Sequence, residues 1–189
     1  MVERHPYPPF LPDDCRCLVV GSFPPARLTQ ARLGSRDIPF YYGSSVNGFW
    51  KMLGELYGAE CTSLEQVKGL LTRLHMGITD MAEACRRREG SSRDEDLDIV
   101  EYRDLTQLLL GIPSLGTVYV TSLFVERLFL HQLAPHCRTE KRDGFSRGVV
   151  LPEHGRSFLL VRLYSPSRRN RLARATVLAQ YRAYLPCLE

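Results

Sequence analysis

The sequence lacks the features of several common protein classes. No stretch approaches the roughly 20 consecutive apolar residues that a membrane-spanning helix needs, and the N-terminal residues, MVERHPYPPF, lack the apolar run of a signal peptide. The six cysteines are dispersed, with one C-x-C pair and no pair of C-x-x-C motifs, which argues against a zinc or iron–sulfur site. We therefore expect a soluble, cytoplasmic protein that uses no metal ion and no cofactor.

Motifs for nucleotide binding and for nucleophilic catalysis are also missing. Neither the phosphate-loop pattern G-x-x-x-x-G-K-[ST] nor the dinucleotide pattern G-x-G-x-x-G occurs, and there is no G-x-S-x-G nucleophile motif. The histidines, at positions 5, 75, 131, 136 and 154, mostly lie away from the predicted strand ends. We expect surface or structural roles for them, and a serine hydrolase with a catalytic triad is disfavoured.

Acidic residues are absent from the C-terminal part of the chain. None occurs between Glu153 and Glu189, whereas the same segment contains Arg156, Arg162, Arg168, Arg169, Arg171, Arg174 and Arg182. An excess of cations of this kind favours contact with a polyanion. The opposite bias, an acidic stretch over residues 93–104, is expected to be a solvated surface.

Length and composition suit one globular domain, with 189 residues of which 44% are hydrophobic and 24% charged. Four prolines within residues 6–13 predict an extended, Pro-rich N-terminal arm over residues 1–14, followed by a single domain over residues 15–189. Apolar or β-branched runs predict strands at residues 17–23, 76–81, 117–122 and 157–165. Amphipathic spacing predicts helices at residues 46–56, 64–74, 103–110, 123–133 and 169–184.

This alternation of strands and helices predicts an α/β fold, a three-layer α/β/α sandwich with a central four-stranded, mainly parallel sheet. In such sheets the ligand crevice lies outside the carboxyl ends of the strands. That rule selects four loops, at residues 21–45, 79–92, 121–122 and 164–170. The second of them is expected to be a polar loop through Ser91 and Ser92.

Two of these loops contain groups suited to anions or nucleic acid. In GSFPP, the N–H groups of Ser22 and Phe23 precede two prolines that have none, so the loop either directs two donors at an anion or carbonyl oxygen or is a plain strand-terminating turn. The last loop, YSPSRRNR, combines hydroxyl groups with arginines, which commonly bind nucleic-acid phosphates. Its serine Ser167, or a neighbour, is alternatively the N-cap of the last helix.

Three short motifs occur in a fixed order along the chain. They are GSFPP at the end of the first predicted strand, FYY-x-x-x-x-N-x-FW at residues 40–50, and L-x-S-x-S-x-x-N at residues 163–170. Together they resemble the uracil-DNA glycosylase superfamily, most closely its hypoxanthine-DNA glycosylase and mismatch-specific branches. The resemblance extends over residues 17–184, although residues 135–156 contain no matching motif, and it implies the same α/β/α fold.

The resemblance implies a monofunctional DNA repair glycosylase that flips a deaminated base, uracil or hypoxanthine, out of DNA and hydrolyses its N-glycosidic bond. It further implies a monomer that acts at the nucleoid on DNA containing a damaged or mispaired base. Asn47 is the implied catalytic residue, and Tyr42 the aromatic residue that stacks on the base. The other implied base-binding residues are Gly21, Ser22, Phe23 and Pro24, and the DNA-binding residues are Ser165, Pro166, Ser167, Arg168 and Arg169.

The chain departs from the relatives' motifs at three positions. Phe23 stands where many relatives have an acidic or amide residue that handles water, Gly48 replaces a frequent arginine, and Tyr164 replaces a proline. An uncharged Asn47 cannot remove a proton from water, so the implied cleavage is dissociative, with Asn47 orienting water or binding the base edge. Two alternatives stay open: a catalytically weak or inactive nucleic-acid-binding member of the same fold, and an α/β hydrolase of a small molecule.

Overall fold

Two β-sheets organise the protein, which is described by a computed structural model over residues 1–88, 91, 93–167 and 170–188. The strands are β1 (Val2–Arg4), β2 (Cys17–Gly21), β3 (Met76–Asp80), β4 (Ala82–Arg87), β5 (Leu97–Tyr102), β6 (Thr117–Val120), β7 (Arg138–Lys141), β8 (Ser146–Leu151) and β9 (Arg156–Arg162). The α-helices are α1 (Ala26–Thr29), α2 (Phe49–Tyr57), α3 (Leu64–Arg73), α4 (Leu105–Leu110), α5 (Leu123–Leu133) and α6 (Arg174–Tyr184).

The four predicted strands form a parallel sheet in the order β3-β2-β6-β9. Every residue of β2 and of β3 is buried. Strands that helices cover on both faces bury residues on both sides, and their sequences are therefore nearly continuous apolar runs. The predicted α/β class and the parallel core of the sheet are confirmed.

Two antiparallel strands extend this sheet beyond the predicted four. β8 pairs with β9, and β7 pairs with β8, so that the hairpin falls within residues 135–156, where no motif could be matched. Every residue of β7, RTEK, is exposed. A short, charged strand suits a solvent-facing sheet edge, but such a sequence has no alternation from which a strand can be predicted.

The smaller sheet, in the order β1-β4-β5, corrects the expectation of a polar loop after Met81. Instead, only Met81 separates the end of β3 from the start of β4, which pairs with β5 in antiparallel fashion. The buried positions of β4 include Ala82, Ala84 and Cys85, which are not typical strand formers. β5 alternates between half-buried and exposed residues, with Asp98 on an exposed position and Glu101 on a half-buried one, so the acidic stretch is only partly the solvated surface that was expected.

Helices cover both faces of the large sheet. Buried residues of α2, α3 and α6 form one core cluster, and those of α4 and α5 form another. Phe49 and Trp50, at the start of α2, are almost completely buried. The last helix begins at Arg174 with Ala173 as its N-cap, so the expected start at residue 169, with Ser167 or a neighbour as N-cap, is wrong.

The N-terminal segment lies along the domain. β1 pairs with β4, and farther on Phe10 exchanges two backbone hydrogen bonds with Ile78 of β3. Between these contacts the side chain of His5 is buried against Tyr7, Phe23 and Tyr41. Among the helices of the described residues, none is long and apolar enough to cross a membrane.

Candidate active site

A cleft of about 860 Å³ opens at the carboxyl ends of β2, β3, β6 and β9. All four loops selected from the sequence contribute to its lining, as predicted from the position of crevices in parallel sheets. Eight of the expected site residues that the structure describes line it together: Ser22, Phe23, Pro24, Tyr42, Asn47, Ser165, Pro166 and Ser167. The cleft thus unites the three motifs, which lie far apart in the sequence.

The first loop leaves two backbone donors at the cleft. The carbonyl oxygens of Gly21 and Ser22 accept hydrogen bonds from Met81 and Ala82, at 2.8 and 3.2 Å. By contrast, the N–H groups of Ser22 and Phe23 donate to no residue that the structure describes. Each of these N–H groups shares a peptide group with one of the two carbonyl groups. Because the β3–β4 connection holds the carbonyl groups, the peptide groups are fixed and the N–H groups remain open to a ligand.

Gly21 contributes to the site through its lack of a side chain. It ends β2 beside Asp80, which ends β3. A Cβ atom placed on Gly21 would collide with Oδ1 of Asp80 and with the hydroxyl group of Tyr42. Gly21 therefore does not line the cleft itself but leaves room for the carboxylate and the phenol that do.

Tyr42 presents an aromatic ring to the cleft in a fixed orientation. Its backbone is in the left-handed region, with φ of 53°, and its ring lies 4.4 Å from that of Phe49, centroid to centroid. The hydroxyl group is 2.8 Å from Oγ1 of Thr121. Burial, together with the negative charge of Asp80, raises the pKa of Tyr42 well above its ordinary value of 10.0, so the side chain is a neutral phenol.

Asn47 is held by backbone contacts on both sides. Its own N–H donates to the carbonyl oxygen of Ser44 at 2.7 Å, and it forms an isolated β-bridge with Ser167. Its side-chain Oδ1 accepts the N–H of Phe49 at 2.9 Å. Because the oxygen serves the start of α2, the amide Nδ2, which donates hydrogen bonds, is the group left for a ligand in the cleft.

Gly48 joins the second motif to the last one. Its N–H donates to the carbonyl oxygen of Pro166 at 3.2 Å, and a Cβ atom at this position would lie 2.9 Å from the same oxygen. The departure from the relatives' arginine therefore has a local structural reason, since the two loops approach each other closely here.

The last loop is folded around its own polar groups. Asn170 donates from Nδ2 to the carbonyl oxygen of Ser165 at 2.9 Å, and the N–H of Ser167 donates to Oγ of Ser165 at 3.3 Å. Arg168 and Arg169, which the sequence places at the tip of this loop, lie outside the described residues.

Two residues of the site were not predicted from the sequence. Asp80 lines the cleft with 5% of its surface exposed, and its Oδ2 lies 3.0 Å from Nε2 of His5. Asp80 lies at the end of a predicted strand, where one of the selected loops begins, so its position was a usable signal. His5 had none, because its contact with Asp80 spans 75 residues of sequence.

Charged side chains of both signs surround the cleft. The cations are Arg87, Arg93 and Arg162, and the acids are Asp80, Asp94 and Asp96. Arg87 donates to the carbonyl oxygen of Pro24 at 2.7 Å and so supports the first loop, while Ser22 donates to Asp94 at 2.8 Å. Within the described ranges, no group of three or more His, Cys, Asp or Glu side chains is placed to hold a metal ion.

Comparisons with known proteins bear on the fold and the family resemblance. A hypoxanthine DNA glycosylase of Methanosarcina acetivorans is 28% identical to the chain over 120 residues, which cover 62% of this chain and 70% of that protein. A solution NMR structure of a candidate uracil DNA glycosylase from the same organism superposes with a TM-score of 0.66, at 19% identity, over 97% of this chain and 96% of the other. The resemblance to the uracil-DNA glycosylase superfamily is confirmed. No model of a protein family matches the chain.

Proposed function

We propose that the protein is a DNA glycosylase that flips a deaminated base, uracil or hypoxanthine, out of DNA and hydrolyses its N-glycosidic bond. One observation carries the proposal: the cleft at the strand ends brings together the ring of Tyr42, the amide of Asn47 and the open N–H groups of Ser22 and Phe23. The proposal is also supported by a relative that is named a hypoxanthine DNA glycosylase.

Tyr42 is the proposed stacking partner of the flipped base. Taking a base out of the duplex costs about a few kcal/mol, and less when the base is mispaired. Stacking on an aromatic side chain recovers about 1–3 kcal/mol per base. Because Tyr42 is fixed by Phe49 and Thr121, little side-chain entropy is lost when the base arrives.

The leaving base requires stabilisation of its negative charge. When the bond between C1′ and the base breaks, the electron pair stays with the base, and its carbonyl oxygen takes up part of the charge. The N–H groups of Ser22 and Phe23 are proposed to bind that oxygen, since one such donor is worth about 3 kcal/mol in comparable oxyanion sites. Asn47, whose free group is a donor, is proposed to bind the edge of the base beside them.

DNA binding is assigned to the loop after β9. Ser165, Pro166 and Ser167 are proposed to contact the backbone next to the flipped nucleotide, with Arg168 and Arg169 supplying positive charge. A monomer suffices for this arrangement, because all of the proposed groups come from one chain. Since the substrate is DNA, the proposal places the protein inside the cell, at the nucleoid.

A second candidate function is nucleic-acid binding without excision. The observation that favours it is Phe23, which is buried against Ala82 and Cys85 and brings no water-handling group to the first motif. Both candidates require DNA binding, so only a measurement of base release separates them.

The decisive experiment uses end-labelled duplexes that contain uracil, hypoxanthine, xanthine or a G·T mismatch. A monofunctional glycosylase leaves an abasic site, which breaks on heating in alkali, and it does not break the strand before that treatment. We expect breaks in the uracil or hypoxanthine duplex only after the alkaline step. Binding without breaks would favour the second candidate, and neither binding nor breaks would favour a small-molecule hydrolase.

A further inference from the structure

Asp80 is a buried carboxylate at the cleft for which the three motifs provide no role. Its side chain is 8% exposed, and burial of an ionised carboxylate is costly unless it is hydrogen-bonded. The residue ends β3, next to Gly21 at the end of β2. A buried carboxylate persists at a strand end where substrates bind for one of two reasons. Either neighbouring groups offset the cost of its burial, or the carboxylate takes part in the chemistry.

His5 supplies the compensating hydrogen bond, and its tautomer follows from its contacts. The backbone N–H of Tyr7 donates to Nδ1 of His5 at 3.1 Å, so Nδ1 is an acceptor and has no proton in the neutral ring. The proton is then on Nε2, which donates to Oδ2 of Asp80 at 3.0 Å. Ring contacts with Phe23 and Tyr41 hold the imidazole in place.

The second oxygen of Asp80 lies at the cleft, near the hydroxyl group of Tyr42. Oδ1 lies over Gly21, in the space that a Cβ atom would fill, together with the hydroxyl group of Tyr42. No hydrogen bond to Oδ1 occurs from the part of the chain that the structure describes. The carboxylate is thus fixed through Oδ2 and offers Oδ1 as an acceptor beside the proposed base-stacking ring.

We propose that Asp80 is a second catalytic residue, which accepts a proton from the attacking water, and that His5 is the positioning residue that holds it. This inference rests on the proposed glycosylase function. The water oxygen bonds to C1′ as the bond between C1′ and the base breaks with its electron pair on the base. The water proton passes to Oδ1 of Asp80 and from there to the departing base anion.

Asp80 and Asn47 then have complementary roles. Asn47 offers a donor, which suits the base that gains negative charge, whereas Asp80 offers an acceptor, which suits the water that loses a proton. The negative charge of Asp80 also favours the positively charged sugar of a dissociative transition state. The function that relatives place in the first motif, at the position of Phe23, is supplied here from the end of the neighbouring strand.

The inference also gives the N-terminal arm a role. His5 follows directly on β1, and β1 is fixed to β4. The arm therefore carries His5, which orients the carboxylate of Asp80. The pairing of β1 with β4 thus fixes the position of a residue of the site.

The test compares single-turnover excision by Asp80→Asn with that of the wild-type chain on the same uracil or hypoxanthine duplex. We expect excision to fall about 100-fold or more, the range of a lost general base, with duplex affinity unchanged. Glu126→Gln is the matched control: Glu126 is about as buried as Asp80 and is paired with Arg147 and Arg162, but it does not line the cleft. Its excision rate should stay within about threefold of wild type.

Chemical rescue distinguishes a missing carboxylate from a damaged fold. In Asp80→Ala, added formate should restore excision at least tenfold, whereas it should not restore Asn47→Ala. For His5, the variant His5→Phe keeps the ring but not the donor and should lower excision about tenfold. His5→Gln, which can place an amide N–H near the position of Nε2, should recover most of that loss.

The outcomes separate this inference from the function on which it rests. A wild-type chain that releases no base from any duplex overturns the proposed function and this inference with it. If the wild-type chain is active and Asp80→Asn excises within about threefold of it, the glycosylase function stands and the role of Asp80 is refuted. Loss of excision without rescue by formate, accompanied by a lowered melting temperature, likewise assigns Asp80 a structural role only.

Discussion

The side-chain oxygen of Asn47 and the backbone N–H of Phe49 are joined by a hydrogen bond of 2.9 Å. The bond ties the proposed catalytic side chain to the first residue of α2 and determines which of its two ends faces the cleft. Asn47 therefore satisfies a backbone N–H at the start of α2, next to the N-cap residue Gly48, besides its proposed role in holding the base. A substitution at this residue should affect stability and chemistry separately.

Replacements of Asn47 should separate these two effects. Asn47→Ala removes the bond to Phe49 and should cost about 1 kcal/mol of folding stability, as the loss of one intramolecular hydrogen bond does, besides lowering excision. Asn47→Asp keeps an acceptor at the helix start and should retain most of that stability. It loses the donor, so single-turnover excision should fall about 100-fold or more. An active Asn47→Asp variant would show that the free amide is not needed.

Gly48→Ala tests the close approach of the second and last motifs. The added Cβ would lie 2.9 Å from the carbonyl oxygen of Pro166, a backbone atom that moves only with its loop. We expect a loss of about 1–3 kcal/mol in the free energy of unfolding and weaker duplex binding. Gly69→Ala is the control, because no atom lies within 4 Å of its added Cβ in α3. It should stabilise the protein by up to about 1 kcal/mol.

Tyr42 should act through its ring more than through its hydroxyl group. Tyr42→Phe keeps the contact with Phe49 and loses only the hydrogen bond to Thr121, so excision should fall no more than about tenfold. Tyr42→Leu removes the stacking surface, and a loss of about 1–3 kcal/mol corresponds to about 5- to 150-fold in excision. Equal rates for the two variants would argue against stacking.

Asp37 should make stability depend on pH, because it holds the segment that leads to Tyr42 and Asn47. Burial, the largest single cause, raises its pKa, but hydrogen bonds from the N–H groups of Ser45 and Gly34 outweigh it and lower the pKa from 3.8 to about 2.

A carboxyl group with a pKa depressed on folding stabilises the native state above its unfolded pKa, and that contribution is lost as the pH falls. Urea unfolding should therefore show stability decreasing between about pH 4 and pH 2. Asp37→Asn should be less stable at pH 7 and should lack that part of the decrease. A variant with the same pH profile as the wild-type chain would exclude Asp37 as its source.

The arginines Arg168 and Arg169 remain a prediction from the sequence. If both contact phosphates, replacing both by alanine should reduce the salt dependence of duplex affinity, the slope of log K against log[salt], by about 0.9 per lost contact. The control is Arg86→Ala, which removes an exposed arginine of β4 that pairs with Asp98. A slope unchanged in the double variant would exclude phosphate contacts by this pair.

The parallel core and the position of the cleft could be predicted from the sequence because both follow from local patterns. Strands such as β2, CLVVG, are buried on both faces and form continuous apolar runs. The strands β4 and β7 could not be predicted, since β4 is built on small residues and β7 is charged and exposed. Their place in the sheets depends on partners that are distant in sequence.

Residues of the candidate site could be predicted only where they belong to a motif that resembles a known family. Tyr42 and Asn47 could be proposed because the motifs containing them resemble a known family, and the structure brings them to one cleft. Asp80 belongs to a selected loop but to no motif that was assigned a function. His5 reaches the site only because β1 pairs with β4, a contact that no local pattern indicates.

Base release is the measurement that distinguishes a DNA glycosylase from a protein that only binds DNA. Purified protein in excess over a labelled duplex, with uracil or hypoxanthine at one position, should release the free base and leave an intact strand that breaks at that position on heating in alkali. Asn47→Asp at equal concentration should bind the duplex and release at least about 100-fold less base in the same time. A wild-type chain that binds the duplex without releasing any base would contradict the account.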